Sequence, residues 1–318
     1  MAPLLDIQDL RVHYLTRRGV VRAVDGVSIS LGRGEVLGLV GESGCGKSTL
    51  GLSVLRLVPP PGAIVGGSIL FDGVDLTRLS DEEMRRIRGK RISMIFQDPM
   101  TSLNPVMRIK DHFVEMIRTH EPETSEEEAV DRAARLMARM GIEERRLWDY
   151  PHQLSGGMRQ RVMIALALIL GPDLVIADEP TTALDTLVQA QIIDLLKEVV
   201  EEYGVAMMLI THDLGVVAEL ADRIAIMYAG KIVEVADAES FFDEPLHPYS
   251  RGLLDSVLTI ESEKGSIRYI PGSPPDLRNP PKGCRFHPRC PYATDRCRSE
   301  EPPRVEVDGR QVWCFRWV

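Results

Sequence analysis

The chain has 318 residues, with 38 basic and 47 acidic side chains and a formal net charge of −9. An apolar share of 44% supports a sizeable core and excludes disorder as the main state. The length is that of two domains, or of one large domain with an appendage. The acidic balance argues against a nucleic-acid partner, because phosphate backbones need a positive footprint. The longest purely apolar run, 162–170, falls far short of the ~20 residues that span a bilayer. The opening MAPLLDIQDLRVHY has no basic stretch followed by an apolar core, so the chain is expected to stay in the cytosol.

Along the chain, the first ~34 residues alternate in polarity and are rich in Val and Gly, which predicts antiparallel strands joined by turns. EVLGLVG is a short buried strand ending in glycine. GESGCGKSTLGLSVLRLV follows with helical spacing, and Pro59-Pro60-Pro61 stops that helix. ISMIF at 92–96 is a further buried strand. From about Met100 to Leu170 the signal is helical. Ser125 three residues before Glu128 predicts a capping box, and Gly141 a stop. DLVIAD and VAMMLITHD are strands on either side of a helix from about Leu187 to Tyr203, a pattern that makes a parallel sheet covered by helices. RIAIMYAGKIVEVA is a strand pair that closes this domain near residue 236. Beyond it the character changes, and nine of the 21 prolines lie between positions 271 and 303. At that density regular elements are not expected, and something other than its own core must order the tail.

Gly41-Glu42-Ser43-Gly44-Cys45-Gly46-Lys47-Ser48 fits G-x-x-x-x-G-K-[ST] between a strand and a helix. Glycines let backbone N–H groups curl round an anion, and the helix N-terminus adds partial positive charge. In such a loop Lys47 reaches the outer phosphates, the Ser48 hydroxyl ligates Mg²⁺, and Thr49 lies beside it. Leu174-Val175-Ile176-Ala177-Asp178-Glu179 ends a buried strand in two acids, at the carboxyl edge where α/β folds bind ligands. Asp178 suits Mg²⁺, and Glu179 is placed to polarise an attacking water.

Leu154-Ser155-Gly156-Gly157-Met158-Arg159-Gln160 resembles the signature motif of ABC ATPases. In the same order Gln97 resembles the Q-loop, Ala183-Leu184-Asp185 the D-loop, and His212 the switch histidine; Tyr14 stands where the family has an adenine-stacking aromatic. Taken as bare residues, Ser155 is also a helix N-cap and Tyr14 a half-buried strand tyrosine. The resemblance covers residues 4 to about 236. It implies an α/β P-loop cassette with a mixed sheet core, an antiparallel β subdomain and a helical subdomain at about 98–170, spanning 1–236. The remainder, 237–318, is then a small Cys/Pro-rich extension. It further implies ATP and Mg²⁺ as ligands, with Ser48, Gln97 and Asp178 around the metal and Glu179, Gln97 and His212 at the reaction. Ser155, Gly156, Gly157, Gln160 and Asp185 would meet the nucleotide held by a second cassette, so hydrolysis would open and close a dimer.

Three segments outside these motifs resemble the oligopeptide/dipeptide branch of importer ATPases: QDPMTSLNPVMRI (97–109), PLHPYSRGLL (245–254) and PGSPPDLRNPPKGCRFHPRC (271–290). The implied protein is a peripheral motor on the cytoplasmic face of the membrane. Its partners would be permease subunits, a second ATPase and, indirectly, an extracytoplasmic peptide-binding protein. Residues after Gln97 would receive the permease. A nickel importer is the alternative cargo reading. A soluble ABC ATPase acting on nucleic acid or ribosomes is the other, disfavoured by the acidity and the single cassette.

Cys284, Cys290, Cys297 and Cys314 are spaced C-x5-C-x6-C-x16-C within segment 271–318. Four thiolates in a reducing compartment suit an iron–sulfur cluster or Zn²⁺, and the resemblance favours [4Fe–4S] as a staple for the proline-rich tail. His287 lies inside the group, but four cysteines suffice. Cys45 sits where serine is common, and a thiol reagent there is expected to block nucleotide binding. Arg85, Arg86, Arg88, Lys90 and Arg91 form a basic run that reads as a solvated face, or second as a contact with anionic lipid.

Overall fold

The computed structural model describes residues 2–98, 102–182, 184–256 and 269–318. Two compact units result: 1–78 with 209–318, and 79–208.

The first unit begins with β1 (Leu5–Thr16) and β2 (Gly19–Leu31), followed by β3 (Val36–Val40), α1 (Lys47–Val54), β4 (Gly62–Phe71) and β5 (Val74–Asp75). β1 pairs antiparallel with β2 and β4, giving an antiparallel sheet ordered β2-β1-β4-β5. An irregularity between Ile7 and Leu10 resets the alternation of β1, so that Ile7, Leu10 and Val12 all lie fully inside. β3 is buried at every position, as its unbroken apolar run requires. α1 ends at Val54, before the prolines expected to stop it.

The second unit holds α2 (Asp81–Ile87), β6 (Ile92–Ile95), α3 (Ile109–His120), α4 (Glu126–Arg139), α5 (Gly156–Leu168), β7 (Leu174–Asp178), α6 (Thr186–Tyr203) and the start of β8 (Ala206–Thr211). β6 and β7 run parallel, with Ile92 opposite Leu174 and Ile95 opposite Ala177. α3 buries Ile109, Phe113 and Ile117, four residues apart on one face. α4 buries Ala129, Ala133, Leu136 and Met137. At its start Ser125 Oγ accepts from the Glu128 N–H at 3.1 Å, which is the Ser125 half of the expected box. Gly141, at φ +71°, follows its end as predicted. No helix among the described residues is long and apolar enough to cross a membrane.

The chain re-enters the first unit through β8. It continues with α7 (Leu214–Leu220), β9 (Arg223–Tyr228), β10 (Lys231–Asp237), α8 (Ala238–Asp243), α9 (Pro248–Asp255), α10 (Asp295–Ser299), β11 (Val305–Val307) and β12 (Arg310–Val312). β3 is parallel to β9, and β9 is antiparallel to β10, so this sheet is mixed.

The proline-rich tail does form regular elements, contrary to the sequence expectation. α10 fits between Pro291 and Pro302, and the β11–β12 hairpin follows the last proline and adds to β10. The hairpin has little core of its own: Val312 packs with Leu246 and Cys314, flanked by Val305 and Val307. What orders it is the existing edge of β10. Further along, Tyr228 of β9, Tyr249 of α9 and Phe286 form a ring cluster with centroids 4.6–5.3 Å apart. Glu234 on β10 is fully buried. It accepts from the N–H groups of Leu246 and His247 at 2.7 and 2.8 Å, which fixes the entry to α9.

Candidate functional site

In the first unit, loop 41–48 joins β3 to α1. Only glycine fits two of its positions. A Cβ on Gly41 would lie 2.1 Å from the Met227 carbonyl oxygen, and one on Gly46, at φ +113°, 2.0 Å from that of Ala23. The backbone is therefore pressed against the sheet and turned so that α1 starts at Lys47. The Lys47 ammonium donates to the carbonyls of Gly41 (2.7 Å) and Glu42 (3.2 Å), its stem buried beneath the loop. Ser43 and Gly44 are exposed at the tip. Ser48 and Thr49 occupy the first turn of α1, and the Tyr14 hydroxyl lies 3.3 Å from Thr49 Oγ1. Cys45 is 4% exposed, and burial pushes its thiol up. The accessible thiol assumed from sequence is therefore corrected: the side chain points into the protein. His212 is exposed directly after β8.

In the second unit, β7 delivers Asp178, which is buried, and then Glu179. Glu179 has φ +47°, left-handed backbone that a non-glycine residue adopts only when its surroundings hold it. Here the surroundings are explicit. Gln97 Nε2 donates to Glu179 Oε2 at 3.0 Å, the Thr182 hydroxyl donates to the same oxygen at 2.9 Å, and the Thr182 N–H donates to the Glu179 carbonyl. Gln97 and Glu179, 82 residues apart, are thus brought together. Thr182 was not singled out from sequence, although its place three residues after Glu179 is the spacing of a turn.

Ser155 caps α5, its Oγ accepting from the Met158 N–H at 3.3 Å. Gly156 and Gly157 form the first turn, where a Cβ on Gly157 would meet Val188 of α6 at 2.7 Å. Gln160 is 2% exposed, and its amide Nε2 has no hydrogen-bond partner among the described residues. Asp185 caps α6, accepting from the Val188 N–H at 3.0 Å. Ala183 of the D-loop motif and residues 99–101 of the segment expected to receive a permease lie outside the described residues.

The four C-terminal cysteines line one cavity of about 230 Å³, together with His247 and His287. All five cysteines of the chain are free of disulfides. Burial, and then the neighbouring thiols, push Cys284 up to about 11; Cys290 and Cys314 are raised as well, first by burial. The Cys284 N–H donates to the Cys297 carbonyl at 2.9 Å, which ties the two arms of the segment. Among the described residues no three Cys, His, Asp or Glu side chains stand close enough to hold a single metal ion. Neither the [4Fe–4S] cluster expected from sequence nor its zinc alternative is matched by this arrangement. His287 is turned toward the backbone, its Nδ1 3.0 Å from the Cys284 carbonyl oxygen.

Two arginines flank Cys284 and Cys290 and fasten the segment to the first unit. Arg285 pairs with Asp25 and donates to the Ala229 carbonyl. Arg289 grips both carboxylate oxygens of Glu42 at 2.6 and 3.0 Å. Neither partner was visible in the sequence, since the contacts span 260 and 247 residues.

Residues 24–182 match the family model "ABC transporter", and 233–297 match "Oligopeptide/dipeptide transporter, C-terminal region". The oligopeptide transport ATP-binding protein OppD of Bacillus subtilis is 49% identical over 308 residues, covering 96% of this chain and 86% of that protein. The dipeptide transport ATP-binding protein DppD of the same organism is 48% identical over 319 residues, covering 99% and 95%. Among solved structures, a dimer of the ATP-binding cassette MJ0796 with ADP and Pi superposes with a TM-score of 0.67 at 29% identity, covering 74% of this chain and 98% of that one. With its phosphate loop, acid-tipped strand and capped signature helix, the chain belongs to the ABC transporter family of ATPases and carries the C-terminal region of the oligopeptide/dipeptide branch.

Proposed function

We propose that this chain is the ATP-hydrolysing motor of an importer for di- and oligopeptides. It works at the cytoplasmic face of the membrane against permease subunits, beside a second cassette, with an extracytoplasmic peptide receptor upstream. The observation that carries the catalytic reading is the Glu179 carboxylate, held in left-handed backbone by donors from Gln97 and Thr182. In this reading Glu179 polarises the water, and His212 and Gln97 orient the reacting groups. Lys47 with the glycine loop holds the phosphates. Ser48, Gln97 and Asp178 hold Mg²⁺, and Tyr14 faces the base. Ser155, Gly156, Gly157, Gln160 and Asp185 serve the partner's nucleotide. The peptide cargo is supported by likeness along nearly the whole chain to proteins named for oligopeptide and dipeptide transport.

The same reading gives Cys284, Cys290, Cys297 and Cys314 to a [4Fe–4S] cluster. What supports it is that all four line one cavity. When bound, the cluster supplies metal–thiolate cross-links to a segment that owns almost no core. The proposed division is a cassette at 1–236 and an extension beyond it.

Glu179→Gln is expected to abolish turnover while keeping ATP binding and trapping paired cassettes; undiminished turnover overturns the assignment. In reconstituted transporter, ATPase stimulation by receptor loaded with nickel instead of peptide would overturn the cargo. Anaerobically purified protein should carry iron and absorb in the visible range. Zinc without iron would overturn the cluster.

A further inference from the structure

Glu42 places a negative charge in an anion-binding loop. It is the one acid among residues 41–48, and it adds negative charge where a polyphosphate must approach. Its carbonyl oxygen accepts from the Cys45 N–H at 3.2 Å and from Lys47 at 3.2 Å, so its backbone is part of the loop's own scaffold. Its other polar groups are held from the C-terminal segment. The Glu42 N–H donates to the Tyr249 hydroxyl at 2.9 Å, and its carboxylate receives the two-pronged grip of Arg289. Arg289 is itself 7% exposed and locked in place. It donates to the Pro271 carbonyl at 2.9 Å and the Tyr228 hydroxyl at 3.3 Å, and its guanidinium lies 5.8 Å from the centre of the Tyr228 ring. A two-pronged arginine–carboxylate pair fixes orientation as well as charge.

We propose that Arg289 is a positioning residue for the nucleotide. By neutralising Glu42 and turning it aside, it makes the phosphate affinity of loop 41–48 depend on docking of the cysteine-rich segment. The inference rests on the phosphate reading of that loop and adds a long-range determinant to it. The tail then acts on the nucleotide site through one residue adjacent to Cys290, whatever the cysteines hold. Unmasking one carboxylate beside the three or four charges of a triphosphate, at water-like screening further reduced by salt, weakens binding about tenfold. A monophosphate, with nearly two charges at neutral pH, loses about half that free energy, or about threefold.

The test is equilibrium dialysis of full-length protein with labelled ATP and labelled AMP. Arg289→Gln should weaken ATP about tenfold and AMP about threefold, and Arg289→Lys, with one prong, should fall between. Arg289→Gln combined with Glu42→Gln should recover ATP affinity to within about threefold of wild type, because no unmasked acid remains. A merely structural arginine would give a double variant no better than Arg289→Gln. That result, or an unchanged ATP affinity in Arg289→Gln, overturns the proposal. If Arg289→Gln does not fold, Arg289→Lys decides: a loss of ATP relative to AMP supports the proposal, and equal affinities or a failure of this variant to fold overturn it. Lys47→Ala separates the two levels. If it leaves the preference for ATP over AMP intact, the phosphate reading itself fails, independently of Arg289.

Discussion

Replacing Thr182 with Val keeps the side-chain volume and removes one of the two donors on Glu179 Oε2, the one at 2.9 Å. A hydrogen bond to a charged group contributes about 1.5–3 kcal/mol when buried. Glu179 is only partly buried, so the loss is set nearer 1.4 kcal/mol, or about tenfold in rate. The loss should fall on kcat, because the bond orients a reacting group and does not hold substrate. Gln97→Ala removes the other donor to the same oxygen, and the two changes share one target. The double variant should therefore lose less than the product of the singles. Thr182→Ser, which keeps the hydroxyl, should stay within about threefold of wild type. The assay is steady-state phosphate release by the assembled transporter across ATP concentrations. A kcat for Thr182→Val within twofold of wild type, or a change confined to KM, would refute the reasoning.

Two further outcomes follow from burial. Cys45 should react with maleimides far more slowly than a free thiol at neutral pH and faster as pH rises, since its burial disfavours the thiolate; mass spectrometry of the modified peptide measures this, and prompt labelling at pH 7 contradicts the buried placement. His247 is fully buried, its Nδ1 accepting from the Tyr249 N–H, and burial lowers its pKa to about 3. The unfolded imidazole takes up a proton near 6.5 while the native one stays neutral. Stability is thus complete above about pH 6.5 and is lost as pH falls from there toward 3, by ~2 kcal/mol at pH 5. His247→Asn should flatten that slope in urea melts taken between pH 7 and 5, and an unchanged slope would assign it to other groups.

How much of this was legible in the sequence depended on range. Loop 41–48 between strand and helix, Glu179 at a strand end, and Ser155 as a cap are local patterns, and the structure has each in that local setting. The burial of Cys45 was misjudged because loop position says nothing of which way a side chain points when its neighbours press against the sheet. The tail was misjudged because proline density was weighed without the open edge of β10, which supplies the hydrogen bonds that the hairpin could not organise alone.

What the sequence determined by itself was the set of short-range devices: glycines where a Cβ cannot fit, apolar runs that must be buried, and caps within three residues of the groups they serve. What the tertiary structure decided was which distant groups meet. Gln97 and Thr182 converge on one oxygen of Glu179, four cysteines line one cavity, and Arg289 reaches back to Glu42 in the phosphate loop. The physical reason is that backbone geometry and apolar periodicity act over a few residues. Charge pairing and burial between remote segments depend on chain topology, which no local spacing encodes.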